Sequence, residues 1–127
     1  MKKILIVDDT DIWRRLSFNL LSEAGYRVLE AESGERAIEL ARSVSQLDLV
    51  IMDFGMPKLN GIDTAKLLRA ISGYETVPII LLTAEDFPGD CDHPPAPFVD
   101  GYVDKKHVSG QLLDCVKLHL ERSAQAA

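Results

Sequence analysis

The sequence predicts an α/β fold, a parallel sheet covered by helices on both faces. Two observations carry that prediction. Apolar runs of strand length, such as Ile4–Val7, Leu49–Met52 and Val77–Leu82, alternate with segments whose apolar residues recur at helical spacing. Glycine, proline and asparagine punctuate the junctions, as at Gly25 and at Gly55, Pro57, Asn60 and Gly61.

Lys3–Val7 reads as a first strand, apolar enough to be buried on both sides. Ile12, Leu16 and Leu20 then place a helix over about residues 11–24, with Gly25 as its stop. Tyr26–Glu30 is a second, more polar strand. Ser33 can cap a helix that runs to about Val44 and turns Ala37, Leu40 and Ala41 inward. Leu49–Met52 is the third strand, and Ile62, Ala65, Leu68 and Ile71 line a third helix. Val77–Leu82 is the fourth strand, ending at Thr83.

The rhythm breaks after Thr83. A fourth helix belongs between Phe87 and Pro97, but that stretch holds Pro88, Gly89, Pro94, Pro95 and Pro97. Proline removes a helical donor and clashes with the preceding turn, so a regular helix is excluded. The expectation is a shortened helix, one turn near Glu85, or an irregular segment, with residues 86–97 the most mobile part of the chain. Phe98–Val103 is the fifth strand, and Val108, Leu112, Val116 and Leu120 mark a last amphipathic helix. One domain is expected over residues 1–122, with 123–127 a frayed tail. Five strands in this alternation favour the flavodoxin-like order 2-1-3-4-5, whose ligands sit beyond the carboxyl ends of strands 1 and 3.

Composition narrows the function classes. The chain has 127 residues, enough for one sizeable core. Its net charge is −6 with no basic run, which argues against nucleic-acid or anionic-membrane binding. No apolar stretch reaches the length of a bilayer span. Met1-Lys2-Lys3 imitates the start of a signal peptide, but the apolar run after it is short and stops at Asp8-Asp9. Cys91 and Cys115 read as two free thiols in a reducing, cytoplasmic setting.

The strand ends carry the chemistry. Asp8 and Asp9 follow strand 1, Asp53 follows strand 3, Thr83 ends strand 4 and Lys105 ends strand 5. In the order 2-1-3-4-5 these four strands are neighbours, and their carboxyl ends share one edge. Clustered carboxylates repel, so they take up protons or hold a divalent cation, and Mg²⁺ suits a few carboxylates plus oxygen donors. Asp53 can then act as a carboxylate nucleophile toward phosphorus, with the Gly55 carbonyl a further metal ligand. Lys105 suits a phosphate oxygen as a point charge, and Thr83 can hydrogen-bond another. Taken singly, Thr83 reads as a strand-end cap and Lys105 as a solvated lysine. Asp9 or Thr10 can cap the first helix, and Asp48 and Asp104 read as surface residues. Only together with three acids do Thr83 and Lys105 read as a site.

This set resembles the receiver domain of bacterial two-component response regulators. The resemblance covers nearly the whole chain: Ile4-Leu5-Ile6-Val7-Asp8-Asp9; Ala24-Gly25-Tyr26 with Ala31, Gly34 and Ala37; Asp53 with Met56-Pro57 and Asn60-Gly61; Thr83-Ala84; and Tyr102 with Lys105. It implies that Asp53 accepts phosphate from a phosphohistidine of a histidine kinase or phosphotransfer protein. It implies that Asp8, Asp9, Asp53 and the Gly55 carbonyl bind Mg²⁺, and that Thr83 and Tyr102 form a switch pair. Such a domain modifies itself and is no conventional enzyme. Two features depart from the family. Lys106 stands where proline usually follows the lysine, often through a cis bond, which leaves either a trans bond or an enforced cis bond. If the lysine is displaced, Lys106 can substitute for it. The missing fourth helix belongs to the face that, with the fifth strand and last helix, commonly transmits the signal.

Other motifs weigh less. Asp90-Cys91-Asp92-His93 lacks a second Cys/His pair at zinc spacing and reads as a solvated loop. His107 and His119 read as a helix start and a helix face. Trp13 reads as the rim of the acidic pocket, and Arg14-Arg15 as solvated or as part of a kinase-docking face. The competing function is a Mg²⁺-dependent phosphohydrolase with Asp53 as nucleophile. Gly55 and Pro57 offer it no acid/base partner, and no substrate-cap insertion is present.

Overall fold

Alternating side chains in the central strands build two cores at once. In the computed structural model, which describes residues 1–44 and 46–125, Leu5 and Val7 of β1 (Lys3–Val7) point to one face and Ile4 and Ile6 to the other. The same division runs through β3 (Leu49–Met52) and β4 (Ile79–Thr83). Ala37 and Ala41 of α2 (Gly34–Ser43) and Ala65 and Leu68 of α3 (Gly61–Arg69) close the first face. Leu21 of α1 (Asp11–Glu23) and Val108, Leu112, Val116 and Leu120 of α4 (Val108–Gln125) close the second. With β2 (Arg27–Ala31) and β5 (Gly101–Asp104), the strands form one parallel sheet in the order β2-β1-β3-β4-β5. This is the flavodoxin-like order.

Local signals account for most boundaries. Gly25 follows α1 with φ +95°, and Gly25 and Tyr26 donate back to Ser22 and Leu21, a left-handed stop that suits glycine. Ser33 Oγ caps α2 by accepting from Arg36, and Asn60 Oδ1 caps α3 by accepting from Asp63. Neither Asp9 nor Thr10 caps α1 with its side chain; Asp8 Oδ1 instead accepts the Thr10 N–H at 2.9 Å. Ile71 lies beyond α3 but still packs on the core. α4 continues through Gln125, so Ser123–Gln125 of the expected tail are helical, while Ala126 and Ala127 lie outside the described residues.

Gly61 opens α3 directly beneath the third strand end. A Cβ there would fall onto the Asp53 carbonyl oxygen and lie 2.9 Å from Met52 Cγ. Gly61→Ala is therefore expected to cost about 1–3 kcal/mol by overpacking, seen as a lower urea midpoint at unchanged slope.

Residues 84–100 contain no helix or strand, so neither a shortened helix nor the turn expected near Glu85 forms. Side-chain and backbone anchors hold the segment instead. Phe87 stacks edge-on against Phe54 and Tyr102, with ring centroids 5.1 and 6.0 Å apart. The Asp90 carboxylate accepts from the backbone of Asp92 and His93 and contacts His93 Nδ1, which makes a tight turn of the expected loop. The Asp90 carbonyl accepts the Tyr102 N–H at 3.0 Å, so the segment runs along the outer edge of β5. Cys91 and Cys115 are not free thiols. They form a disulfide across 24 residues, with Cα atoms 5.7 Å apart, that ties the segment to α4. Their sequence spacing gave no sign of this, because the fold alone brings α4 beside the segment.

Two acids read as surface residues also have structural partners. Asp48 accepts from the Lys3 N–H at 2.8 Å, and Asp104 accepts from the Lys106 N–H at 3.0 Å, capping a 3-10 turn over Lys105–His107.

Candidate functional site

A parallel sheet gathers its carboxyl ends on one edge, and register decides which residues meet there. Val7 pairs with Met52, and the Asp53 N–H donates to the Val7 carbonyl at 2.9 Å. Asp8 and Asp53 therefore leave the sheet side by side. Carboxylate oxygens of Asp8, Asp9 and Asp53 lie within 4.8 Å of one another. Lys105 leads the 3-10 turn after β5 and reaches back over β4 to this cluster. Its Nζ lies 2.8 Å from Asp8 Oδ2 and 3.5 Å from Asp53 Oδ2. Thr83 closes β4 between them. Asp8, Asp53, Thr83 and Lys105 are 3, 6, 1 and 6% exposed, whereas Asp9 is open to solvent.

Electrostatics make this pocket ready for a cation. Burial pushes the Asp53 carboxyl above the usual carboxylate range, and the neighbouring Asp8 charge pushes it further. The Lys105 ammonium and hydrogen bonds from Thr83 and Lys105 oppose that rise without cancelling it. Three carboxylates face one ammonium, which leaves two negative charges uncompensated. All three acids offer hard oxygen donors at mutual distances that one small divalent ion can span, so the donor set fits Mg²⁺. Gly55 stands at the mouth, where a Cβ would meet only Glu85 Oε1 at 3.8 Å.

Lys105 keeps its place without proline behind it. No cis peptide bond occurs among the described residues, and Lys106 turns outward to Asp104, with Nζ 3.5 Å from Oδ2, so it does not substitute. The support that sequence reasoning left at the rim is Trp13, whose ring centre lies 4.9 Å from Lys105 Nζ. Arg14 is likewise not merely solvated. It donates to the Asp8 carbonyl at 2.8 Å and pairs with Asp11 and Glu30. Lys105→Met is expected to leave two buried carboxylates without their counter-charge. Thermal melts should show a loss of about 2 kcal/mol in metal-free buffer, recovered in part by Mg²⁺.

Tyr102 stands apart from the acids. Its side chain is buried, with the hydroxyl donating to the Glu85 carbonyl at 2.9 Å, just past Thr83 and Ala84. The expected switch pair is thus joined through the first residues of the irregular segment. The aromatic stack of Phe54, Phe87 and Tyr102 was not foreseen, because the three lie far apart in sequence.

Comparison with known proteins agrees with this geometry. The model of the response regulator receiver domain family matches residues 4–117. The chain is 42% identical over 84 residues to the chemotaxis protein CheY1 of Helicobacter pylori, covering 65% of this chain and 68% of that one. It is 27% identical over 119 residues to the polar-differentiation response regulator DivK of Brucella ovis, covering 94 and 96%. Among solved structures, the response regulator TrrA of Thermotoga maritima, in complex with Mg²⁺ and beryllium fluoride, superposes with a TM-score of 0.80 at 35% identity, over 94% of this chain and 99% of that one. A structure of the histidine kinase ThkA in complex with TrrA gives 0.80 at 36% identity over the same shares. With the acidic pocket, the sheet order and the family match in agreement, the chain belongs to the response regulator receiver domain family.

Proposed function

We propose that this receiver domain accepts a phosphoryl group on Asp53 from a phosphohistidine of a histidine kinase or phosphotransfer protein, and that occupancy of Asp53 changes which partner it binds. The observation that carries this reading is the Lys105 ammonium set between Asp8 and Asp53 inside a three-carboxylate cluster. The solved complexes of TrrA with Mg²⁺ and beryllium fluoride and with its kinase support it by similarity.

In this reading, Asp8, Asp9, Asp53 and the Gly55 carbonyl hold Mg²⁺. When bound, the ion neutralises charge on the oxygens of the transferring phosphoryl group. One Asp53 oxygen attacks phosphorus as the bond from phosphorus to the donor imidazole nitrogen breaks, and the imidazole leaves with the bonding electrons. Lys105 holds one phosphoryl oxygen and Thr83 another. Thr83 passes the change to Tyr102 through Ala84 and Glu85. We further read residues 84–100 as standing where a fourth helix completes the signalling face in this family.

The same reading places the protein in the cytoplasm with its kinase, contacting neither nucleic acid nor membrane. Among the described residues no helix is long and apolar enough to cross a membrane. The test uses beryllium fluoride with Mg²⁺ as phosphoryl mimic and Trp13 as reporter. A saturable, Mg²⁺-dependent fluorescence change is expected. No change would overturn the phosphoacceptor reading, and turnover of added phosphoesters would favour a phosphohydrolase instead.

A further inference from the structure

We propose that Cys91 and Cys115 are a reversible redox latch, whose disulfide clamps residues 84–100 on β5 and α4 and thereby limits how Tyr102 and Thr83 respond to phosphorylation. The coupling rests on the phosphoacceptor reading of Asp53; the latch itself does not.

The bond joins an element that cannot hold itself to one that can. Four prolines and the absence of any helix or strand leave residues 84–100 dependent on their anchors. Cys91 sits at the centre of them. Its sulfur bonds to Cys115 on α4, and its carbonyl contacts His119 Nε2 at 2.8 Å. On either side, the Asp90 carbonyl receives the Tyr102 N–H, and Asp92 pairs with Arg122. The seat leaves no slack: a Cβ on Gly101 would lie 2.6 Å from the Cys91 carbonyl and 3.0 Å from His119 Nε2.

Tyr102 is gripped throughout by the clamped segment. Asp90 holds its backbone, Phe87 packs on its ring and Glu85 accepts from its hydroxyl. Glu85 also contacts Thr83, its N–H lying 3.4 Å from Thr83 Oγ1. A phosphoryl group on Asp53 must find room beside the Thr83 hydroxyl. Any shift there moves Ala84 and Glu85, and the disulfide restrains that movement.

The bond is also reachable. Asp90, Cys91, Asp114, Cys115 and Leu118 line a surface cleft. Cys91 is half-buried, whereas Cys115 is fully buried. A thiolate of a dithiol reductant would attack the outer sulfur, Cys91. The bond between the two cysteine sulfurs breaks, and Cys115 leaves as a thiolate carrying the electron pair. The reductant's second thiolate then attacks its own mixed-disulfide sulfur and releases Cys91. The two cysteines gain two electrons and take two protons from solvent, while the reductant becomes a disulfide; the reverse exchange closes the latch. Disulfides in a reducing compartment are usually transient and redox-sensing, which suits a switch better than a permanent staple.

Three measurements on the full chain test this. Alkylation of air-equilibrated protein should leave both cysteines unmodified until a dithiol is added; ready labelling of the half-buried Cys91 before that would overturn the proposal. Amide exchange at Tyr102 should quicken at least tenfold on reduction, and in Cys91→Ser without reductant; an unchanged rate would overturn the latch. Beryllium fluoride with Mg²⁺, followed at Trp13, should bind at least threefold more tightly to the reduced protein. By linkage, the mimic should shift the equilibrium toward the dithiol by the same factor. Equal or weaker binding after reduction would overturn the coupling. No response in either form would overturn the phosphoacceptor reading and the coupling with it, while the exchange rates still judge the clamp. Cys91→Ser, at the outer position, spares the buried Cys115 site and serves as the permanently open form.

Discussion

Asp53→Asn is expected to abolish Mg²⁺-dependent uptake of phosphate or beryllium fluoride and, at the same time, to make the metal-free protein more stable. The first effect follows from chemistry, since an amide oxygen cannot replace the carboxylate as nucleophile under the same conditions. The second follows from the Asp53 titration. Burial and Asp8 raise its folded-state value above the ordinary carboxylate value. The folded protein therefore holds this proton more tightly than the unfolded chain does. Stability contributed by Asp53 is full below the ordinary value and is lost as pH rises from there through the raised folded value. At neutral pH the charged group is a net cost, which Asn removes.

A gain of about 1–2 kcal/mol is expected, seen as a rise of several degrees in Tm at neutral pH that shrinks as the pH is lowered through that window. Mg²⁺ should stabilise the native protein more than the variant, because it offsets the same charge. Intact-mass measurement after acetyl phosphate treatment checks the first effect, and paired melts with and without Mg²⁺ check the second. A destabilised Asp53→Asn protein would mean that Lys105 and Thr83 more than satisfy the buried carboxylate.

Breaking the disulfide is expected to have a similarly large effect in the opposite direction. The bridge closes a loop across 24 residues. In the chain-entropy description, losing it costs about 3 kcal/mol, or roughly 10 °C in Tm for a domain of this size. Melts in the presence of a phosphine reductant measure this directly, and Cys91→Ser should melt near the reduced native protein and ignore the reductant. The urea slope should also rise, because the unbridged chain exposes more surface when it unfolds. An unchanged Tm would show that Phe87, His119 and Arg122 anchor the segment without help.

What was legible in the sequence was local. Ile4–Val7 and Leu49–Met52 are apolar throughout because strands buried on both faces need no polar side, so they could be read as central strands. Asp8, Asp53 and Lys105 were legible as a site because a parallel sheet places every carboxyl end on one edge. Prolines excluded a helix between β4 and β5 for a reason internal to the segment.

Tertiary structure alone decided which distant residues touch. Cys91 meets Cys115, Arg69 joins Asp100 at 2.8 Å, and Trp13 lies against Lys105, each pair far apart along the chain. Asp100 in turn accepts the Ile79 N–H at 2.8 Å, fixing where β4 begins. Periodicity and capping act over a few residues and leave a mark in neighbouring letters. Pairings across the sheet and helix layers depend on how those layers stack, and no run of adjacent residues records that.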